Sequence, residues 1–67
     1  MFKSFYTKEQ LTMLLLDWKQ PVVIPKGNQS IVLEFPPDRG YRRCRYNRAA
    51  QKSTYGKPLY EVTLYNP

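Results

Sequence analysis

Apolar residues recur along this chain with two different periods, and the change of period marks its architecture. Leu11, Leu14, Leu15 and Trp18 stand at i, i+3, i+4 and i+7, which makes one stripe of a helix. Met13 and Leu16 flank the stripe. Thr7, with Gln10 three positions on, matches a capping box, in which the hydroxyl and the amide satisfy orphan backbone donors. Tyr6 before the cap and Leu11 after it match a hydrophobic staple. Pro21 is expected to stop the helix, because the residue before a proline is pushed out of the α region. The stripe predicts a core-packing helix, with a partner-binding face as the alternative.

After Pro21 the period falls to two. Val22, Val23 and Ile24 form a short β-branched run closed by Pro25, and Lys26-Gly27-Asn28 reads as a turn. Ser30 to Phe35 alternates, with Ile31, Leu33 and Phe35 on one face and Val32 breaking the other. Pro36-Pro37 ends that strand, and Asp38-Arg39-Gly40 is a turn signal. Tyr41 to Arg48 is compatible with a strand that has Arg42, Cys44, Tyr46 and Arg48 on one face. Tyr41, Arg43, Arg45 and Asn47 take the other. Ala49 to Lys57 reads as a polar loop, and Leu59 to Tyr65 alternates best of all.

The expected fold is α+β: one N-terminal amphipathic helix packed on a small three- or four-stranded antiparallel sheet, in a single domain spanning residues 1–67. The strands after residue 29 are expected to form a meander, since parallel pairing needs crossovers for which the chain lacks room. The inward set is Leu11, Leu14, Leu15 and Trp18 against Ile31, Leu33, Phe35, Cys44, Tyr46, Tyr60, Val62 and Leu64. Val32, Leu59 and Tyr65 are left as exposed hydrophobics, where a homodimer or partner patch is to be sought.

Composition narrows the classes. A disulfide within the chain is excluded because Cys44 is the only cysteine, and no histidine is present. Aromatic residues make up 15% of the chain, unlike a disordered tail. The longest apolar run, Met13 to Leu16, is far too short to span a membrane. Met1-Phe2-Lys3-Ser4 lacks the regions of a signal peptide, so a soluble cytoplasmic protein is expected.

Charge then supplies the one functional signal. The formal net charge is +6, and Arg39, Arg42, Arg43, Arg45, Arg48, Lys52 and Lys57 lie in one stretch without an acid. The remaining four lysines are outnumbered by the five acids. Tyr41, Tyr46 and Tyr55 are interleaved with the cations. Basic residues among aromatics suit phosphate contacts and base stacking. The expected nucleic-acid-binding residues are Arg42, Arg43, Arg45, Arg48 and Lys52, with Tyr41 and Tyr55 as stacking platforms. On a strand, Arg43 and Arg45 would stand about 7 Å apart, close to the phosphate spacing of a single strand. DNA and RNA are both open. The alternatives are an acidic protein surface as partner, or a solvated basic face with no partner.

Catalytic equipment is sparse. Glu9, Asp17, Glu34, Asp38 and Glu61 are scattered, and no obvious pair forms for acid–base work. Cys44 is flanked by arginines that would lower its pKa if it were exposed, but no base is at hand, so it is read as a buried structural residue. No zinc-finger spacing, GxxG or RNP1 signature occurs. A non-enzymatic binding protein without cofactor is the expectation. Its size and lack of catalytic residues resemble the small accessory proteins of phages and mobile elements. That resemblance implies, as the second reading, a protein that binds and inhibits or modulates a host protein or nucleoprotein complex.

Overall fold

The computed structural model describes residues 1–36, 38, 40 and 42–66. Five elements follow in order: β1 (Phe2–Tyr6), α1 (Lys8–Asp17), β2 (Ser30–Glu34), β3 (Arg43–Lys52) and β4 (Pro58–Tyr65). The four strands form one antiparallel sheet in the order β1-β4-β3-β2. The meander β2-β3-β4 is as expected. The helix does not open the chain: β1 precedes it and pairs with β4 from Phe2↔Leu64 to Tyr6↔Tyr60. The connection from β1 through α1 to β2 crosses from one sheet edge to the other.

β1 carries no clear sequence signal because burial barely uses it. Phe2 and Phe5 stay exposed, and only Tyr6 packs against the core. Backbone pairing to β4 therefore defines the strand, rather than an apolar face.

The capping box forms as predicted. Gln10 N–H donates to Thr7 Oγ1 at 3.2 Å, and Thr7 N–H donates to Gln10 Oε1 at 2.9 Å. The helix ends earlier than Pro21 would require. Lys19 N–H donates to the Leu16 carbonyl at 3.0 Å and Gln20 N–H to that of Leu15 at 2.9 Å, the pairing of a Schellman motif. This motif needs a left-handed residue, and Lys19 supplies it at φ 58°. A β-carbon there costs about 1–2 kcal/mol. Lys19→Gly should accordingly raise stability by about 0.5–1 kcal/mol. An unchanged or lowered urea midpoint would count against this cap.

Every residue of the expected inward set joins the core. Leu11, Leu15, Trp18, Phe35, Cys44, Tyr46, Tyr60 and Val62 are buried, and Leu14, Ile31, Leu33 and Leu64 pack partly against them. Trp18 meets Phe35 edge to face, with centroids 5.2 Å apart. The apolar character of α1 is not confined to one stripe, since Met13 and Leu16 are exposed.

Helix α1 packs on β4 and β1. The segment between α1 and β2 helps to cover the sheet. Val22–Ile24 is not a strand. Ile24 packs on the core, Pro25 is fully buried, and the buried Tyr46 hydroxyl donates to the Val23 carbonyl at 3.0 Å. Prolines on both sides lack the N–H that a ladder would need, so the segment lies over the sheet instead of pairing with it. Leu59 and Tyr65, expected to be exposed, are half-buried, while Val32 is exposed.

Among the described residues, no helix is long and apolar enough to cross a membrane.

Candidate nucleic-acid interface

Cross-strand register sorts the sheet into two faces. Leu33–Cys44–Leu64–Phe2 and Ile31–Tyr46–Val62–Ser4 face the helix. The opposite, open face carries three rows: Glu34–Arg43–Tyr65, Val32–Arg45–Thr63–Lys3 and Ser30–Asn47–Glu61–Phe5. Arg43 and Arg45 thus share a face, because the buried Cys44 and Tyr46 occupy the other one.

Among the described residues, two of the three cations in these rows, Lys3 and Arg43, are met by carboxylates. Lys3 Nζ lies 2.9 Å from Glu61 Oε1, and Arg43 lies 3.3 Å from Glu34 Oε1. Arg45 instead donates to the Ser30 hydroxyl at 3.4 Å. The hydrogen bond from Lys3, then that from Asn47 Nδ2 at 3.3 Å, lowers the Glu61 pKa below the ordinary carboxylate range. A lowered folded-state pKa makes this carboxylate stabilising above its ordinary value, about 4.3. That contribution is lost as pH falls through the folded-state value. The gap in urea midpoint between wild type and Glu61→Gln should hence shrink between about pH 6 and pH 3. A gap independent of pH would argue against these contacts.

The expected polar loop over 49–57 is largely strand. β3 runs on to Lys52 and β4 begins at Pro58, so the turn shrinks to residues 53–57. Ser53 closes it: its N–H donates to the Lys57 carbonyl at 2.9 Å, and its Oγ accepts from Lys57 N–H at 3.0 Å. Gly56 takes φ 77°, which favours glycine. Ala49, Ala50 and Gln51 have little intrinsic strand preference, so composition suggested a loop; hairpin pairing overrides it.

The consequence is a projecting arm. Pairing of β2 with β3 stops at Ser30↔Asn47, and pairing of β1 with β4 stops at Tyr6↔Tyr60. Beyond these pairs the β3–β4 hairpin continues as a two-stranded ribbon, with a register shift between Arg48 and Lys52. Arg48, opposite Tyr60, stands at the base of this ribbon, which itself bears Lys52 and Lys57; all three are exposed, and the ribbon has no acidic residue. Tyr55 stands at its turn with 90% of its surface exposed. A recess of about 420 Å³ at the arm's base is lined by Arg45, Arg48, Asn47, Ser30, Lys3 and Glu61, among others.

The structure therefore divides the predicted site. Arg45 and Arg48 line one recess, and Lys52 and Tyr55 belong to the arm above it. Arg43 is tied to Glu34, and Arg42 lines a separate recess with Glu34, Phe35 and Asn66. Tyr41 and Arg39 lie outside the described residues. Lys57, counted in the basic run but not among the site residues, sits on the arm. Lys3 was missed because its position depends on β1.

Cys44 is fully buried, and burial pushes its thiol up to about 11. At neutral pH it is a protonated core residue. The neighbouring arginines do not activate it, because Arg43 and Arg45 point to the other face. No family model matches the chain, and neither a curated protein nor a solved structure matches it.

Proposed function

We propose that this is a non-enzymatic nucleic-acid-binding protein whose principal contact is the β3–β4 arm. The observation that carries this reading is the distribution of charge. The open sheet face sets Lys3, Arg43 and Arg45 against Glu34 and Glu61, whereas the arm presents Lys52 and Lys57, with Arg48 at its base, and carries no carboxylate of its own. The arm attracts phosphates and has no acid of its own to repel them; Glu61 lies in the recess at its base. Arg45 and the recess extend the contact toward the sheet. The site of the reading is Arg45, Arg48, Lys52, Lys57 and Tyr55, with Arg43 and Arg42 peripheral, and the protein acts in the cytoplasm.

A second reading draws on Met13 and Leu16, exposed at 69% and 58% on α1, and on Phe2, exposed at 66% on β1. Apolar surface of this kind suits a protein partner. An accessory protein that modulates a host complex would use it together with the basic arm.

Pull-down from nuclease-treated extract, paired with nucleic-acid titration, separates the two. The first reading predicts affinity tighter than about 10⁻⁵ M, the middle of the usual non-specific range, with a steep salt dependence. A stoichiometric protein partner that survives nuclease, alongside weaker nucleic-acid binding, would reverse the preference.

A further inference from the structure

We infer that the β3–β4 arm enters the major groove of B-form duplex DNA. This rests on the nucleic-acid reading above and narrows it to one partner. The first argument is width. Paired strands lie about 4.8 Å apart, and a groove about 12 Å wide admits a two-stranded ribbon. Many of the arm's side chains are short: Ala49, Ala50, Ser53, Thr54, Gly56 and Pro58 keep it slim.

The second argument is where the long side chains lie. Arg48 stands on β3 at the base of the arm, Lys52 at the end of β3, and Lys57 is the last residue of the turn. Cations at the base of the ribbon, along β3 and in the turn suit a groove whose walls are lined with phosphates. Gln51 and Tyr55, both exposed, are the long uncharged groups left to reach base edges. A glutamine amide matches the donor–acceptor pair that adenine presents in this groove.

The same features disfavour other nucleic acids. Single strands are gripped by aromatic rows on which successive bases stack. The arm offers Tyr55 alone, while Phe5 and Tyr65 sit in different rows of the sheet face. The major groove of A-form RNA is too deep and narrow for side chains to read.

Fluorescence anisotropy with a labelled DNA duplex, the RNA duplex of the same sequence and either DNA strand alone tests the inference. The DNA duplex should bind about tenfold tighter than the others, with a log–log salt slope near −2.7 for three phosphates at about −0.9 each. Gln51→Ala and Tyr55→Ala, both at exposed positions, should weaken duplex binding without changing that slope. A drug that fills the minor groove should leave binding unchanged. Equal or tighter binding of single strands or RNA, or competition by that drug, would overturn the groove assignment while nucleic-acid binding stands. Binding of all three no tighter than about 10⁻⁵ M would instead overturn the underlying reading.

Discussion

Leu15→Asp should leave the chain unfolded at neutral pH. Leu15 has no exposed surface and lies in the cluster formed by Leu11, Trp18, Phe35, Cys44, Tyr46, Tyr60 and Val62. An unpaired carboxylate in such surroundings costs several kcal/mol even after relaxation. A chain of this length is expected to be stable by about 3–10 kcal/mol, at roughly 0.05–0.15 kcal/mol per residue. The substitution also removes the leucine's own packing, which Leu15→Ala would measure at about 2–5 kcal/mol. Leu14 is only half-buried, so aspartate there should cost less. Leu16 is 58% exposed, and Leu16→Asp should change stability by no more than about 0.5 kcal/mol. Far-UV circular dichroism and urea titration read all four variants. A folded Leu15→Asp, or an unfolded Leu16→Asp, would show that the helix is rotated from the orientation described.

Reversing the arm's charge should nearly abolish nucleic-acid binding. Lys52→Glu/Lys57→Glu removes two phosphate contacts and places two anions where the phosphates would lie. A hydrogen bond to a charged group contributes about 1.5–3 kcal/mol, so losing two costs at least about 3 kcal/mol, or roughly 100-fold in affinity. Repulsion adds to this. The salt slope should flatten by about two contacts. Lys19→Glu/Arg42→Glu makes the same change in net charge away from the arm. Lys19 lies outside the proposed site and Arg42 only at its periphery, so this pair acts chiefly through the long-range field, which salt screens over about 10 Å at 0.1 M, and should cost much less. Equal losses in the two variants would mean that net charge alone drives binding and that the arm is no site. Arg43→Ala/Arg45→Ala should fall between them, because Arg43 is already held by Glu34.

The expected and observed architectures agree where one strong local signal acts. The capping box was visible because both its donors and acceptors lie within four consecutive residues. The core was visible because burial selects large apolar side chains at the period of each element. They diverge where backbone pairing outweighs side-chain preference. β1 has a single side chain packed on the core, and residues 49–52 are poor in strand formers, yet both are paired with β4 or its hairpin. The end of α1 was misplaced for a similar reason. Pro21 is a conspicuous breaker, but the carbonyls of Leu15 and Leu16 found donors before the chain reached it.

The candidate interface divides along the same line. Counting charges along the chain located the basic stretch between residues 39 and 57, because a run of like charges is a property of sequence alone. That count could not separate cations matched by carboxylates from those left unmatched. Glu34 and Glu61 are nine and sixteen positions from Arg43 and Arg45, on other strands. Only strand order and register bring Glu34 to Arg43, and Glu61 to Lys3 beside Arg45. The unmatched cations of the arm are left to themselves because β1 and β2 both stop short of it. The local sequence therefore determined the helix, the core residues and the sign of the surface. Tertiary pairing decided which of those charges stand free of carboxylates, since that depends on how far each edge strand reaches along its neighbour.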